Sequence, residues 1–255
     1  VVITPFGKSG TTWIQQIVHC LRTRGDMDFD DISRVVPWIE ASTSLGINIE
    51  AKQLCDPRAF KSHLGKEEVP KGGVYIVAIR DPKDVLFSNY KFMEGWYFEP
   101  GTIELDDYAR EFFIKGRGYW NHLSSWWPHR KDGDVLLMAF EHMKRDLSLT
   151  IQRIADFIDI ELDFELREIT EEHASLAFMQ RHKDKFDDLL IRELSEREAF
   201  LPLGSDSSKV RVGKVGEHSQ HLSDEVSDEI DQIWKEEMSD KTGFENYRTL
   251  IESLE

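Results

Sequence analysis

Cysteine is scarce in this 255-residue chain: Cys20 and Cys55 are the only two, and they have no CxxC spacing. That excludes a disulfide framework and a cysteine-rich zinc site, and points to a reducing, cytoplasmic setting. Positive charge is also in short supply. Lys and Arg number 32 against 48 Asp and Glu, a formal net charge of −16. A chain this acidic lacks the basic face that nucleic acid requires, so no nucleic-acid partner is expected. A local basic pocket for a small anion is compatible with that balance, because net charge averages over the whole surface. No apolar run approaches the roughly 18 residues that span a bilayer, and mean hydropathy is −0.46. No membrane partner is expected. An internal repeat and a low-complexity linker are both missing, so 1–255 reads as a single domain. There is no initiating Met, and VVITPF reads as a strand already under way. Further N-terminal sequence is therefore expected before it, which leaves room for a signal peptide.

What is present is an alternation of short β-branched runs with longer helical patterns. Val1–Thr4, Arg58–Ser62, Val74–Ile79 and Val135–Phe140 are the predicted strands; VYIVAI is apolar throughout, as in a strand covered on both faces. Thr12–Arg22 places Trp13, Ile14, Ile17, Val18 and Leu21 on one helical face before Gly25. Asp81 and Pro82 supply the N-cap and first position of another helix. Leu147–Ile158 has helical spacing, Arg181–Glu198 reads as a solvated helix, and the C-terminal DKTGFENYRTLIESLE suits a short amphipathic one. The alternation predicts an α/β fold with a central, largely parallel sheet flanked by helices.

The strongest local signal is Gly7-Lys8-Ser9-Gly10-Thr11-Thr12-Trp13, between the first strand and the first helix. Small residues let backbone N–H groups converge on an anion, and the helix N-terminus adds its dipole. Lys8 supplies a mobile charge; Ser9, Thr11 and Thr12 supply hydroxyls. The nucleotide-kinase loop GxxxxGK[ST] fails here at its leading Gly, where Val2 stands. A second anion site is predicted at the carboxyl end of VYIVAI, where Arg80 can make a forked contact and Ser88 can add a hydroxyl. The alternative there is an Arg80–Asp84 structural pair. His63 closes a short strand, and a histidine titrating near neutrality suits a general base. His122, His129 and His142 form no metal set, so no metal is expected.

Together these segments resemble the cytosolic sulfotransferases. Lys8-Ser9-Gly10-Thr11-Thr12-Trp13, after a strand and a proline, looks like that family's 5′-phosphosulfate loop. Arg80-Asp81-Pro82-Lys83-Asp84-Val85, with Ser88, is similar to its 3′-phosphate motif. Arg211-Val212-Gly213 is similar to the late Arg-Lys-Gly-x-x-Gly loop, and Lys61-Ser62-His63-Leu64 resembles Lys-Thr-His-Leu. The resemblance implies a P-loop-like sulfotransferase fold and in-line transfer of a sulfuryl group from 3′-phosphoadenosine 5′-phosphosulfate (PAPS) to a hydroxyl or amine of a small-molecule acceptor. PAP is the product, and no metal takes part. It assigns His63 as general base, Lys8 to the leaving phosphate and, by analogy with phosphoryl transfer, Lys61 to the sulfuryl oxygens. Cofactor binding falls to Lys8, Ser9, Gly10, Thr11, Thr12, Trp13, Arg80, Ser88, Phe140, Ser175, Arg211 and Gly213. Trp13 is expected to stack on adenine or else to be core.

There are departures from the family pattern. Phe6 and Gly7 intervene between Pro5 and Lys8, and Phe140 stands for a Tyr. Leu176 stands for an aromatic, Val212 for a Lys that Lys214 could replace from nearby, and His218 for a Trp. The family's dimer motif is not found after Gly216, so oligomeric state stays open. Trp96-Tyr97-Phe98 and Trp126-Trp127 read either as acceptor lining or as core, the second being the commoner. The acidic surface favours a cationic or neutral acceptor over an anionic one. Two alternatives stand beside this reading: a P-loop nucleotide kinase using ATP and magnesium, and a non-catalytic phosphonucleotide-binding module.

Overall fold

Four parallel strands carry the molecule: β1 (Val2–Ile3), β2 (Phe60–Lys61), β3 (Tyr75–Ile79) and β4 (Val135–Ala139), in the order β2-β1-β3-β4. The structure is a computed structural model that describes residues 1–94, 96–199 and 208–254. Each strand is shorter than its predicted span. β1 ends before Pro5, which has no N–H to donate to a ladder. The predicted Val135–Phe140 strand ends at Ala139, and Phe140 instead opens the Phe140–Arg145 helix, bringing its ring beneath the Arg80 guanidinium at 4.5 Å. β2 keeps only two residues of Arg58–Ser62, but its other edge is covered. Lys61 N–H donates to Pro37 O at 2.8 Å, and Ile39 N–H donates to Lys61 O at 2.9 Å.

β3 is buried over its whole length, and its side chains alternate between two cores. Tyr75, Val77 and Ile79 join Val85, Trp120, Trp126, Ile230 and Trp234 on one face. Ile76 and Ala78 join Ile14, Ile17, Val18, Met138 and Ile151 on the other. α1 (Thr11–Thr23) packs there through the apolar stripe predicted for 12–22. Asp81 caps the Pro82–Met93 helix by accepting from Lys83 N–H at 2.8 Å, as its sequence signature predicts. The predicted 147–158 and C-terminal helices form as Leu147–Phe157 and Tyr247–Glu252.

Arg181–Glu198 is not one solvated helix. The Leu176–Arg181 helix stops, a 3₁₀ turn at Lys183–Phe186 buries Phe186, and a new helix runs over Leu189–Ala199. Between them Asp188 takes a left-handed φ of 51° and is 3 % exposed. The interruption turns two carboxylates inward.

The strand order fixes where a ligand belongs. From β1 the chain passes to β2 on one side, then crosses to β3 on the other, so the sheet reverses direction at β1. In open parallel sheets the crevice lies at the carboxyl ends of the strands at that reversal. Residues 4–10 leave β1 at this point.

Candidate active site

Thr4 is pinned first: its hydroxyl donates to Leu64 O at 2.9 Å, and His122 Nε2 donates to Thr4 O at 3.0 Å. Phe6 lies edge-on to Tyr119, His122 and Phe113, with ring centroids 5.6, 5.9 and 6.4 Å away. The inserted Phe6 thus anchors the loop in the core. Lys8 has φ 68° and Gly10 φ 100°, so the chain curls through the left-handed region twice before α1 begins. A Cβ at Gly10 would also meet the Phe140 ring at 3.1 Å. Ser9 Oγ, Thr11 Oγ1 and Arg80 Nε are buried with no hydrogen-bond partner. Orphaned buried donors of this kind are rare, and a phosphate in the loop would satisfy them.

These groups border one cavity of about 560 Å³, lined by Lys8, Gly10, Thr11, Thr12, Trp13, Lys61, His63, Arg80, Ser88, Phe140, Ser175, Arg211 and Gly213 among others. Of the predicted site residues only Ser9 is not at its wall. Among the described lining residues six are cationic (Lys8, Lys61, Arg80, Lys144, Lys209, Arg211) against two carboxylates, Asp188 and Glu217. A chain with net charge −16 has gathered positive charge at one place. Burial, then the charges of Arg80, Arg211 and Lys61, push the Lys8 ammonium down to about 7.

Arg80 does more than the sequence suggested. Its NH1 donates to Lys8 O at 3.2 Å and its NH2 to Lys214 O at 3.1 Å, tying the early loop to the late one, with Asp84 3.6 Å away. The predicted alternative, a structural Arg80–Asp84 pair, is therefore present alongside an unpartnered Nε. Asp84 also holds the late loop, accepting from Gly216 N–H at 2.8 Å, His218 N–H at 3.2 Å and His218 Nδ1 at 2.7 Å. Where the family pattern has Trp, His218 is a tether.

Arg211 makes a fork with Glu217, both contacts 3.0 Å. Lys214 does not replace the family's lysine at 212: its side chain is exposed and away from the cavity. Lys144 does line the cavity, its Nζ 3.9 Å from where a side chain at Gly213 would begin. The Ser175 hydroxyl caps the Leu176–Arg181 helix, accepting from Phe178 N–H at 3.2 Å. Trp13 is half-buried, packed against the core on one side and lining the cavity on the other. Its indole N–H donates to Ala174 O at 2.7 Å, and its ring meets Phe140 edge-on at 5.8 Å.

At the other end stands His63. Its Nδ1 lies 2.7 Å from Pro5 O, and a carbonyl can only accept, so Nδ1 carries the proton and Nε2 keeps a free lone pair. Burial, with Lys61 adding to it, pushes the imidazolium down to about 3. Lys61 Nζ sits 4.0 Å over the Trp38 ring and 2.8 Å from Asp188, and burial lowers it to about 8. Trp38, Phe92, Met93, Trp96, Tyr97 and Ile191 complete this end. The two aromatic clusters therefore part company. Trp126 and Trp127 are core at 0 % and 2 % exposure, whereas Trp96 and Tyr97 reach the cavity.

Sequence reasoning missed Trp38, Lys144, Asp188 and Lys209. Lys144 lies four residues beyond Phe140, and Lys209 two before Arg211, both beside residues the motifs had singled out. Trp38 and Asp188 come from stretches whose local pattern says only turn or charged helix.

A family model for the sulfotransferase domain matches residues 1–242. The chain belongs to the sulfotransferase family. Rabbit (Oryctolagus cuniculus) amine sulfotransferase is 27 % identical over 253 residues, covering 94 % of this chain and 81 % of that protein. Mouse (Mus musculus) sulfotransferase 1B1 is 30 % identical over 259 residues, covering 95 % and 83 %. Among solved structures, retinol dehydratase in complex with androsterone and the inactive cofactor PAP shares the fold. Its TM-score is 0.74 at 19 % identity, over 94 % of this chain and 80 % of that one. This sulfotransferase has the α/β architecture predicted from its alternating elements. Among the described residues no helix is long and apolar enough to cross a membrane.

Proposed function

We propose that this single-domain sulfotransferase takes its sulfuryl group from PAPS and passes it to a hydroxyl or amine of a small apolar acceptor, with His63 as general base. The observation that carries the reading is one continuous cavity that joins Lys8, Arg80, Arg211 and the orphaned loop hydroxyls to His63, Lys61 and the Trp38 ring. When bound, the donor supplies sulfur: a bond from the acceptor atom to sulfur forms, the sulfur–oxygen bond to phosphate breaks, and its electron pair stays on the phosphate. Lys8 and the N–H groups of residues 9–12, with Ser9, Thr11 and Thr12, hold the 5′ end. Arg80, Ser88, Arg211 and Gly213 hold the 3′-phosphate, Arg211 exchanging Glu217 for it. Trp13, Phe140 and Ser175 flank the adenosine.

His63 Nε2 takes the acceptor proton while Pro5 O fixes the ring. Lys61 faces the sulfuryl oxygens. Fixed donors where charge develops supply much of the catalysis in such sites. The acceptor end meets a ligand with Trp38, Phe92, Met93, Trp96 and Tyr97, which supports an apolar body carrying one nucleophilic atom. Rabbit amine sulfotransferase is named for amines, and the retinol dehydratase structure holds a steroid; both acceptor classes belong in the search. The free thiols of Cys20 and Cys55 support a cytoplasmic setting. The ATP-dependent kinase alternative has a strand residue, Val2, in place of its leading glycine.

The test is transfer of labelled sulfur from PAPS to a panel of apolar alcohols, phenols and amines. His63→Ala should lower turnover by about 10²- to 10⁴-fold, the usual worth of a general base, with PAP affinity nearly unchanged. A large loss of PAP binding would make His63 structural. Turnover by no acceptor, with PAP bound normally, would favour the non-catalytic module. Chelation of divalent metals should leave the rate unchanged; restoration by magnesium and ATP would reinstate the kinase.

A further inference from the structure

Asp188 accepts from three side chains at once. Lys61 Nζ lies 2.8 Å from its Oδ2, Lys209 Nζ shares that same oxygen, and the Ser33 hydroxyl donates to Oδ1. The Lys209 side chain is 10 % exposed, and its amide N–H donates to Asp187 at 3.0 Å. One carboxylate oxygen thus serves two buried ammoniums, with the buried Asp31 carboxylate acting on both from further off. Crowding buried charges of one sign is costly, and an anion in the cavity relieves it. The remaining contacts are with aromatic faces: Lys209 faces the rings of Phe92 and Trp96 at 6.0 and 5.8 Å, Lys61 faces Trp38, and Lys8 faces Phe92 at 4.2 Å. An aromatic face attracts a cation while leaving its charge available. Lys209 also lines both the main cavity and an adjoining basic cavity of about 250 Å³ that shares Lys8, Ser88 and Arg211 with it.

We propose that Lys209 is a second cation for the transferred sulfuryl group, with Asp188 as the positioning residue that presents Lys209 and Lys61 together. The assignment rests on the donor reading above and extends it to a residue outside the motifs. Sharing Asp188 with Lys61 brings the Lys209 ammonium towards the His63 end, where sulfur must be attacked. Burial and the charges of Lys61 and Lys8 push the Lys209 ammonium well below its usual range, and a sulfuryl oxyanion beside it favours the protonated form this role requires. The acceptor proton goes to His63, the electron pair goes to the phosphate, and both lysines hold oxygens that stay negative from donor to product. The left-handed backbone at Asp188, strained for a non-glycine residue, is retained because it aims the carboxylate at both lysines.

Equilibrium binding of PAPS and of PAP, without acceptor, separates this role from others. Lys209→Met leaves Asp188 paired with Lys61, so the chain should fold. Its PAPS affinity should fall roughly 10- to 100-fold, the worth of one charge-assisted hydrogen bond, while PAP, which has no sulfuryl group, changes little. Lys209→Arg should recover most of the loss. Lys209→Gln should repeat the Met result if Met disturbs the fold. Equal losses for PAPS and PAP, or no loss for either, would overturn the assignment. A wild-type chain that binds neither nucleotide would instead overturn the donor reading itself.

Discussion

At the residue scale, His63 and Lys8 make opposite statements about pH. His63 works as a base only when neutral, and burial with the nearby Lys61 charge pushes its pKa down to about 3. The acid limb of the transfer rate should therefore lie well below pH 6; a limb centred near 6.5, the ordinary histidine value, would contradict the assignment. Lys8 is held down to about 7 with no anion beside it. A phosphate favours the ammonium and raises that value, so nucleotide binding near pH 7 to 8 should take up a proton, and PAP affinity should fall as pH rises through 7. Calorimetry in buffers of different ionisation enthalpy measures the uptake; a heat independent of buffer would remove Lys8 from the phosphate. At Gly10 both φ 100° and the Phe140 ring exclude a side chain. Gly10→Ala should cost PAP affinity by roughly tenfold or more, an estimate from strain of about 1 to 3 kcal/mol.

At the scale of elements, the late loop depends on one carboxylate. Asp84 lies on the Pro82–Met93 helix and accepts from both Gly216 and His218. Asp84→Asn keeps the shape but loses the charge. The loop should loosen, with faster amide exchange at Gly216 and His218 and PAP weakened more than ADP, which lacks the 3′-phosphate. Unchanged exchange there would show that the loop is held otherwise. This tether also marks how far the sequence could be read. The strands, the 11–23 helix and the Asp81–Pro82 cap were legible because their signals are local: periodicity, β-branched runs, a capping residue. Thirteen of the fourteen named site residues reach the cavity wall, most of them because their motifs lie at strand ends. Trp38, Asp188 and Lys209 were not legible. Trp38 arrives through backbone pairing of Pro37–Ile39 with Lys61, and Asp188 through a break in a charged helix whose pattern looked continuous. Long-range pairing leaves no periodic trace in the segments it joins.

At the scale of the whole molecule, the notable feature is charge separation: a basic cavity in a chain of net charge −16. The surrounding field should favour neutral or cationic acceptors in approach, while the cavity should favour anions once inside. Rates for anionic acceptors that exceed those of matched neutral ones at low salt would count against the first half. Stability should show the buried histidines. Burial pushes His19 and His122 down to about 4 and His63 to about 3, all below the unfolded value of 6.5. Between about pH 6.5 and 4 the unfolded chain binds protons there that the folded chain does not. Stability is therefore fully present above 6.5 and is lost as pH falls, by up to about 1.4 kcal/mol per pH unit for each histidine. Denaturant titrations across that window would measure the slope, and a flat profile would mean these rings are charged in the fold.

The most direct test of the two-phosphate cavity is a calorimetric titration with PAP beside ADP, which differs in lacking the 3′-phosphate. Loop, Arg80, Ser88 and Arg211 together require PAP to bind at least about tenfold more tightly, one charge-assisted contact's worth. Arg80→Ala should erase most of that difference. Equal binding of PAP and ADP, or a preference for ATP with magnesium, would contradict the account.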